Sequence, residues 1–455
     1  MSPVDGNRHR TEADRNLSRA PGRPQPGSGP SQRLLASLAQ LRLRLRAHQR
    51  TTFLVASGVS TAGSFAGLTA KGWLLMDGAG SPLLLALHFA LLTLPTLVVS
   101  GPAGVLADRL GSERLLIRAQ WALFAAAVLG AIAIPISGGS LQVGLLLLST
   151  LGIGIASAYE LTARNKYVAL LVDQPEQLGP YLTSFSVVFN VGKLVGPPLG
   201  GLLLACTGPT LALSLDAATY LLPIASLLWL MAPRRSAEQR SGPGRSGSLG
   251  TAWRDCGPDL RHVLGFTGLA CLVGFFHPGL APLMAKQLVG PSPQDLGLFT
   301  SVIAAGSISG GMVLQRRARE LARRPGLLLG ASTVITSLAQ IGLVLCLQAG
   351  SSSNGLRLWG LAMAYLIGAG TACLLSGTNL IIQVQAPQVL RGRMAGLGQI
   401  AFLGGGGLSG LGAALLTEAK GLGFCFALLG SLGLVIGAQE WLRRGRQLLA
   451  EGPGG

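Results

Sequence analysis

The sequence predicts an all-α integral membrane protein of about twelve transmembrane helices in two six-helix bundles. Charged residues are only 12% of its 455 residues, against about 25% in soluble proteins. Hydrophobic residues reach 49% and mean hydropathy is +0.51. Apolar runs of about 20 residues, enough to cross roughly 30 Å of hydrocarbon, recur along the chain. So few charges argue against a large water-soluble enzyme, whose surface they could not coat. The 66 Gly follow no three-residue period, which removes a collagen-like reading.

Residues 1–50 stand apart from the runs. They hold ten Arg against Asp5, Glu12 and Asp14, a net +7, and up to Ser31 they are rich in Pro, Gly and Ser. That composition predicts disorder. No apolar core lies near Met1, so it does not read as a signal peptide. Residues 33–50 (RLLASLAQLRLRLRAHQR) read either as a basic amphipathic helix on an anionic lipid surface or as a solvated tail with partial helix.

The spans fall near 52–75, 83–107, 115–137, 141–163, 180–206, 209–232, 261–284, 296–314, 326–348, 357–381, 394–416 and 422–442. Backbone polar groups in lipid must be satisfied within the segment, so each should be an α-helix. Runs such as LLLALHFALLTLPTLVV do not alternate as barrel strands do. The longest internal loop, 233–260, is Gly/Ser/Arg-rich and has six spans on either side. The expected units are therefore a basic tail (1–50), a first bundle (51–232), a linker (233–260), a second bundle (261–443) and a short tail (444–455).

A net charge of +18 alone suggests nucleic acid. Its cations, however, sit in short clusters between apolar runs, and aromatics are 5%, too few for a stacking surface. With both termini in the cytoplasm, 31 of the 36 Lys and Arg fall on that side, as the positive-inside rule requires. Lys71, Lys286, Arg357 and Lys420 fall on or near the outer side, and Lys193 lies within a span. The six cysteines form no CxxC pair, so neither a disulfide framework nor a zinc site is expected. No cofactor is expected.

The loop between spans two and three contains Gly104-x-x-x-Asp108-Arg109-x-Gly111-x-x-Arg114. In that place it resembles the signature loop of the major facilitator superfamily. Gly104 would permit close helix approach, Gly111 a tight turn at positive φ, and Asp108 could be held by a helix N-terminus or an Arg. The resemblance implies a conformational latch. Span five carries Gly192-x-x-x-Gly196-Pro197-x-x-Gly200-Gly201, which resembles the superfamily's antiporter signature, although Thr183 replaces its earlier Gly. Gly at i and i+4 makes a flat face, and Pro197 frees a carbonyl and bends the helix. The resemblance implies export; the plainer reading is a packing helix. Residues 159–232 and QAPQVLRGRMAGL (385–397) look like the siderophore-exporter-like permeases of this superfamily.

Two features depart from the pattern. Span four (LLLLSTLGIGIASAYE) lacks the Arg of many proton-coupled members. The loop after span eight keeps Gly306, Gly310 and the cations but not the Asp-Arg-x-Gly core.

Ionisable groups in hydrocarbon cost at least about 2.5–3.5 kcal/mol, so they need a partner or a wet cavity. Lys193 in span five and Asp216 in span six could neutralise each other, as a coupling pair or a structural one. Glu160 and Arg164 are spaced as an i, i+4 pair. His277 lies in FFHPG, which should break span seven. Its imidazole is a candidate for titration in a cavity. In the superfamily, spans one, four, seven and ten line the cavity, which makes Ser57, Thr61, Ser64, Thr371, Ser376 and Asn379 candidates; back-bonding within the helix is the default for such hydroxyls.

No HExxH, His-Asp cluster or phosphate loop points to an enzyme. The expected function is proton-coupled, alternating-access export of a small amphipathic or siderophore-like molecule across the cell membrane. The alternatives are an importer or lipid flippase on the same fold, or a non-transporting receptor or scaffold.

Overall fold

A computed structural model describes residues 49–136, 139–171, 175–230, 249–349, 354–387 and 391–445. The Arg-rich tail before residue 49 and most of the linker lie outside these. Among the described residues there is no strand, and twelve helices are long and apolar enough to cross a membrane. They run Gln49–Gly78, Pro82–Ala107, Ser112–Ile132, Ser140–Val168, Val187–Thr207, Pro209–Leu228, Pro258–Leu288, Pro293–Arg316, Pro325–Gln348, Asn354–Gln385, Gly396–Lys420 and Leu422–Arg444. They are numbered one to twelve in that order. The predicted fold class is the one observed.

Local chemistry sets the ends. Proline opens many of the helices, where its missing N–H is no loss. Span eight adds a capping box, in which the Ser292 hydroxyl accepts from Asp295 N–H and the Asp295 carboxylate accepts from Ser292 N–H. Gly111 turns span two into span three at φ +86°, a conformation L side chains avoid. Span two is broken at Leu94 ahead of Pro95, and span seven at Phe275–Phe276 ahead of Pro278.

Spans one to six pack among themselves, as do spans seven to twelve. The two groups meet mainly where span five lies on span eight and span two on span eleven. An even number of spans puts residues 49 and 444 at one end, here the terminus-bearing end. At the opposite end one apolar core runs through both groups: Trp73, Leu75 and Leu85 join Phe276, Leu280, Met284, Phe299 and Phe426. At the terminus-bearing end the cores are separate, around Phe53, Leu116 and Tyr167 in one group and Leu264, Ile381 and Met394 in the other. Outward faces are apolar: Val98 and Leu442 are 77% and 81% exposed, as lipid contact demands.

Candidate functional site

The glycines of span five build a two-sided contact. Side chains at Gly192, Gly196 or Gly200 would strike Thr61, Ala62, Phe65 or Ala66 of span one. On the other side Gly201 lies against the Pro293 carbonyl of span eight, and Gly297 against the Pro197 carbonyl, where a Cβ would sit 2.8 Å away. Pro198 has no N–H to offer the Leu194 carbonyl one turn back, and Ser301 of span eight donates to that oxygen instead, at 2.8 Å. The second seam is polar at its far end: the Ser81 hydroxyl and Leu83 N–H of span two both donate to Glu418 Oε1 of span eleven, at 2.6 and 3.3 Å. Deeper in, Phe275 stacks on Phe402 at 4.3 Å and meets Phe89 at 6.3 Å, joining spans seven, eleven and two.

Inside the first six spans lies a cluster of polar groups in an apolar surround. Lys71 is 2% exposed and donates to Ser149 Oγ at 2.8 Å; that hydroxyl donates to the Ala126 carbonyl at 2.6 Å. Gly130 makes the room, because a Cβ there would lie 2.9 Å from Lys71 Cε. Asp216 is also buried, its carboxylate resting on Gly67, one turn of span one below Lys71. Its Oδ1 has no hydrogen-bond partner. The two charges interact without closing to an ion pair. His88 shares a 2.9 Å hydrogen bond with Thr150 through Nδ1, while its Nε2 is unpartnered. Tyr220 accepts from Ser64 at 2.8 Å and lies within the field of Asp216 and Glu160.

Sequence reasoning missed Lys71, Ser149, Thr150 and Tyr220, and it put Lys71 near the outer surface. The first helix runs on to Ala79, so Lys71 sits about 12 Å inside it. Lys193 does not meet Asp216. Its neighbours Gly192 and Leu194 contact spans one and eight, and among the described residues no carboxylate acts on it. Glu160 and Arg164 do pair, at 3.4 Å, with Gln120 Nε2 a further 3.5 Å donor to the carboxylate. Gly104 makes no close helix approach, since a side chain there would meet open space. Its carbonyl instead accepts from Lys166 of span four at 3.2 Å. Arg109 and Arg114 are exposed, and the Asp108 side chain lies outside the described residues.

Of the cavity candidates, Thr61 and Thr371 donate to carbonyls of their own helices. Ser64 does so too and also reaches Tyr220, within the first group. Ser57 is buried and accepts Thr61 only through its carbonyl. Ser376 and Asn379 are half-buried, with Asn379 facing Gly398 of span eleven. Among the described residues no group of His, Cys, Asp and Glu could hold a metal.

Two helix groups sealed at one end and separate at the other, around buried charges, define a membrane transporter. A bacterial homologue of the human lysosomal transporter Spinster, solved inward-facing and unoccupied, has this fold with a TM-score of 0.68 at 14% identity, over 88% of this chain and 97% of that one. The family model for transmembrane secretion effectors matches residues 42–444, and the chain belongs to that family of the major facilitator superfamily. It is 27% identical to the multidrug efflux pump Tap of Mycolicibacterium fortuitum over 404 residues, 84% of this chain and 93% of Tap. It is also 27% identical to the enterobactin exporter EntS of Shigella boydii serotype 18 over 366 residues, 76% and 80% of the two chains.

Proposed function

We propose that this transporter is a proton-coupled exporter of small amphipathic or siderophore-like molecules in the cell membrane, with both termini in the cytoplasm. The observation that carries the reading is the glycine and proline face of span five, which joins the two groups at the far end while their cores stay apart at the terminus-bearing end. The cation bias supports a cytoplasmic location for that open end. An exporter must load from that side, and the efflux relatives support the same direction. The halves, 51–232 and 261–443, rock about the seams of spans five with eight and two with eleven.

Asp216 is the proposed proton carrier. It is a buried carboxylate with one oxygen lacking a donor and a lysine close enough to bias its charge. Lys71 and Tyr220 interact with it, and these in turn interact with His88 and Glu160. A small shift between spans one and six changes the Lys71–Asp216 separation and with it the affinity for a proton. Coupling therefore rests in span six rather than on a span-four Arg. The Gly104–Arg114 loop acts as the latch, with Lys166 tying span four to it. The Arg-rich tail adds attraction to anionic lipid.

A dye and siderophore panel in proteoliposomes under an imposed pH gradient tests this reading. Uptake into inside-out vesicles with an acid interior is the expected result. Gradient-independent movement would remove the coupling, and movement of nothing would favour a receptor. Asp108→Asn should cut transport while leaving membrane insertion intact; unchanged transport removes the latch.

A further inference from the structure

We propose that Glu418 is a far-end clasp between the halves: its carboxylate caps span two while that end is closed, and Ser81 takes over the cap when the end opens. This rests on the reading that the two halves rock. It deepens that reading by giving one pair of side chains control over how often the far end parts.

Three observations converge. First, the acid stands where its own helix disfavours it. Glu418 lies in the last turn of span eleven, which ends ahead of Gly421 at φ +86°. A helix C-terminus carries partial negative charge and suits cations, not carboxylates. Among the described residues the partners of Glu418 are both on span two of the other half, and no salt bridge holds it on its own side.

Second, span two is capped from outside. Ser81 is its N-cap residue, with extended backbone at φ −87°, ψ 123°, and its carbonyl accepts from Leu85 N–H at 3.4 Å. A serine in that place ordinarily turns its hydroxyl oxygen onto an N–H two or three residues on. Here it makes no such bond. Its hydroxyl donates to Glu418 Oε1 at 2.6 Å, and the same oxygen accepts from Leu83 N–H at 3.3 Å. The second half thus supplies both the acceptor and the negative charge that the start of span two favours.

Third, the contact lies on a seam that must part. Beneath it spans two, seven and eleven come together at small residues. A Cβ on Gly279 would lie 3.5 Å from Ala86 Cα and 3.6 Å from Gly410 Cα. Opening the far end lifts Glu418 away from Ser81 and Leu83. The freed Leu83 N–H has a replacement acceptor one bond rotation away, the Ser81 hydroxyl oxygen. Ser81 is therefore a two-position element: it serves the other half when the end is closed and its own helix when the end is open. Glu418 biases that equilibrium toward closed.

The test uses purified full-length protein in nanodiscs with exposed Cys206 replaced. Spin labels at Asp77 and Lys286, exposed residues of opposite halves, report the far end without touching the clasp. Pulsed electron spin resonance should show a mainly short distance in the unsubstituted clasp. Glu418→Ala should raise the ratio of long to short distances roughly fivefold, about 1 kcal/mol. Ser81→Asp should raise it further, because its carboxylate caps span two directly and repels Glu418. Adding Glu418→Ala to Ser81→Asp should bring the ratio back down by removing the repulsion. Lys420→Gln, an exposed cation two residues past Glu418, should change nothing. A distribution unmoved by Glu418→Ala, or an end closed more tightly by Ser81→Asp, overturns the proposal.

The distances are read without substrate, so they separate the clasp from the transport reading. A far end that opens on Glu418→Ala, in protein that moves nothing in proteoliposomes, would leave the clasp standing and sink transport. Gradient-driven transport with distances indifferent to both clasp residues would do the reverse.

Discussion

The two halves share a scaffold and differ in what they bury. Spans one to six enclose Lys71, Asp216 and His88 in mid-span. Spans seven to twelve enclose hydroxyls and an amide: Thr267 bonds Thr378 at 2.7 Å, and Gln340 caps the break in span seven. Their buried carboxylate, Glu440, sits at the terminus-bearing end, where His262 reaches both its oxygens at 3.0 Å. His277 is also buried there, at the break in span seven beside Phe275. Charges in hydrocarbon destabilise a bundle unless they are paired or solvated, so a task is a reason to keep them, while neutral hydrogen bonds specify packing at little risk. In the proposed mechanism the first half handles the ion and the second is its packing partner.

The comparison is open to attack at four points. The largest effect is expected from Asp216→Asn. It should lower gradient-driven transport by roughly tenfold or more, a loss of about 1.4 kcal/mol, yet leave substrate exchange intact. Loss of both activities would mean that Asp216 is only structural.

Lys71→Met comes next. It leaves the Asp216 carboxylate buried without its cation, so the single variant should melt lower than the double variant Lys71→Met with Asp216→Asn. Independent, additive melting shifts would show that the two residues are not coupled. In the second half, Gln340→Leu strips the donor from the Gly274 carbonyl and should cost about 1–3 kcal/mol in stability, while uphill transport per folded molecule persists. The smallest effect belongs to Thr267→Val with Thr378→Val. Removing both partners of a buried hydrogen bond together is close to neutral, so stability should move by less than about 1 kcal/mol. A coupling defect in either of these last two would place ion handling in both halves.

Much of this was legible in the sequence, and what was not shares one cause. Run length and polarity decide where a helix starts and stops, so the twelve spans follow from hydropathy. FFHPG marks a break because proline cannot continue the ladder, and Gly111 turns where only glycine turns easily. Hydropathy does not encode the rotation of each helix about its axis or the choice of neighbour. Lys193 and Asp216 looked like partners because both were orphans, but span one intervenes with Lys71. Lys71 itself read as a boundary residue because a lysine near the end of an apolar run usually is one. The motif reads Gly104 as a packing glycine, yet its carbonyl rather than its missing side chain makes the contact. The span-five glycines were legible because their i, i+4 spacing states a face directly.

Reciprocal motion of the two ends is the central claim. Paired spin labels at Asp77 and Lys420 report the far end, and labels at Arg118 and Arg323 the terminus-bearing end, in protein with exposed Cys206 replaced. Pulsed electron spin resonance distances should show the far-end pair short and the other long in the resting protein. When substrate is added and the pH lowered, the first should lengthen as the second shortens. Distances that stay fixed, or change together in one direction, would contradict alternating access.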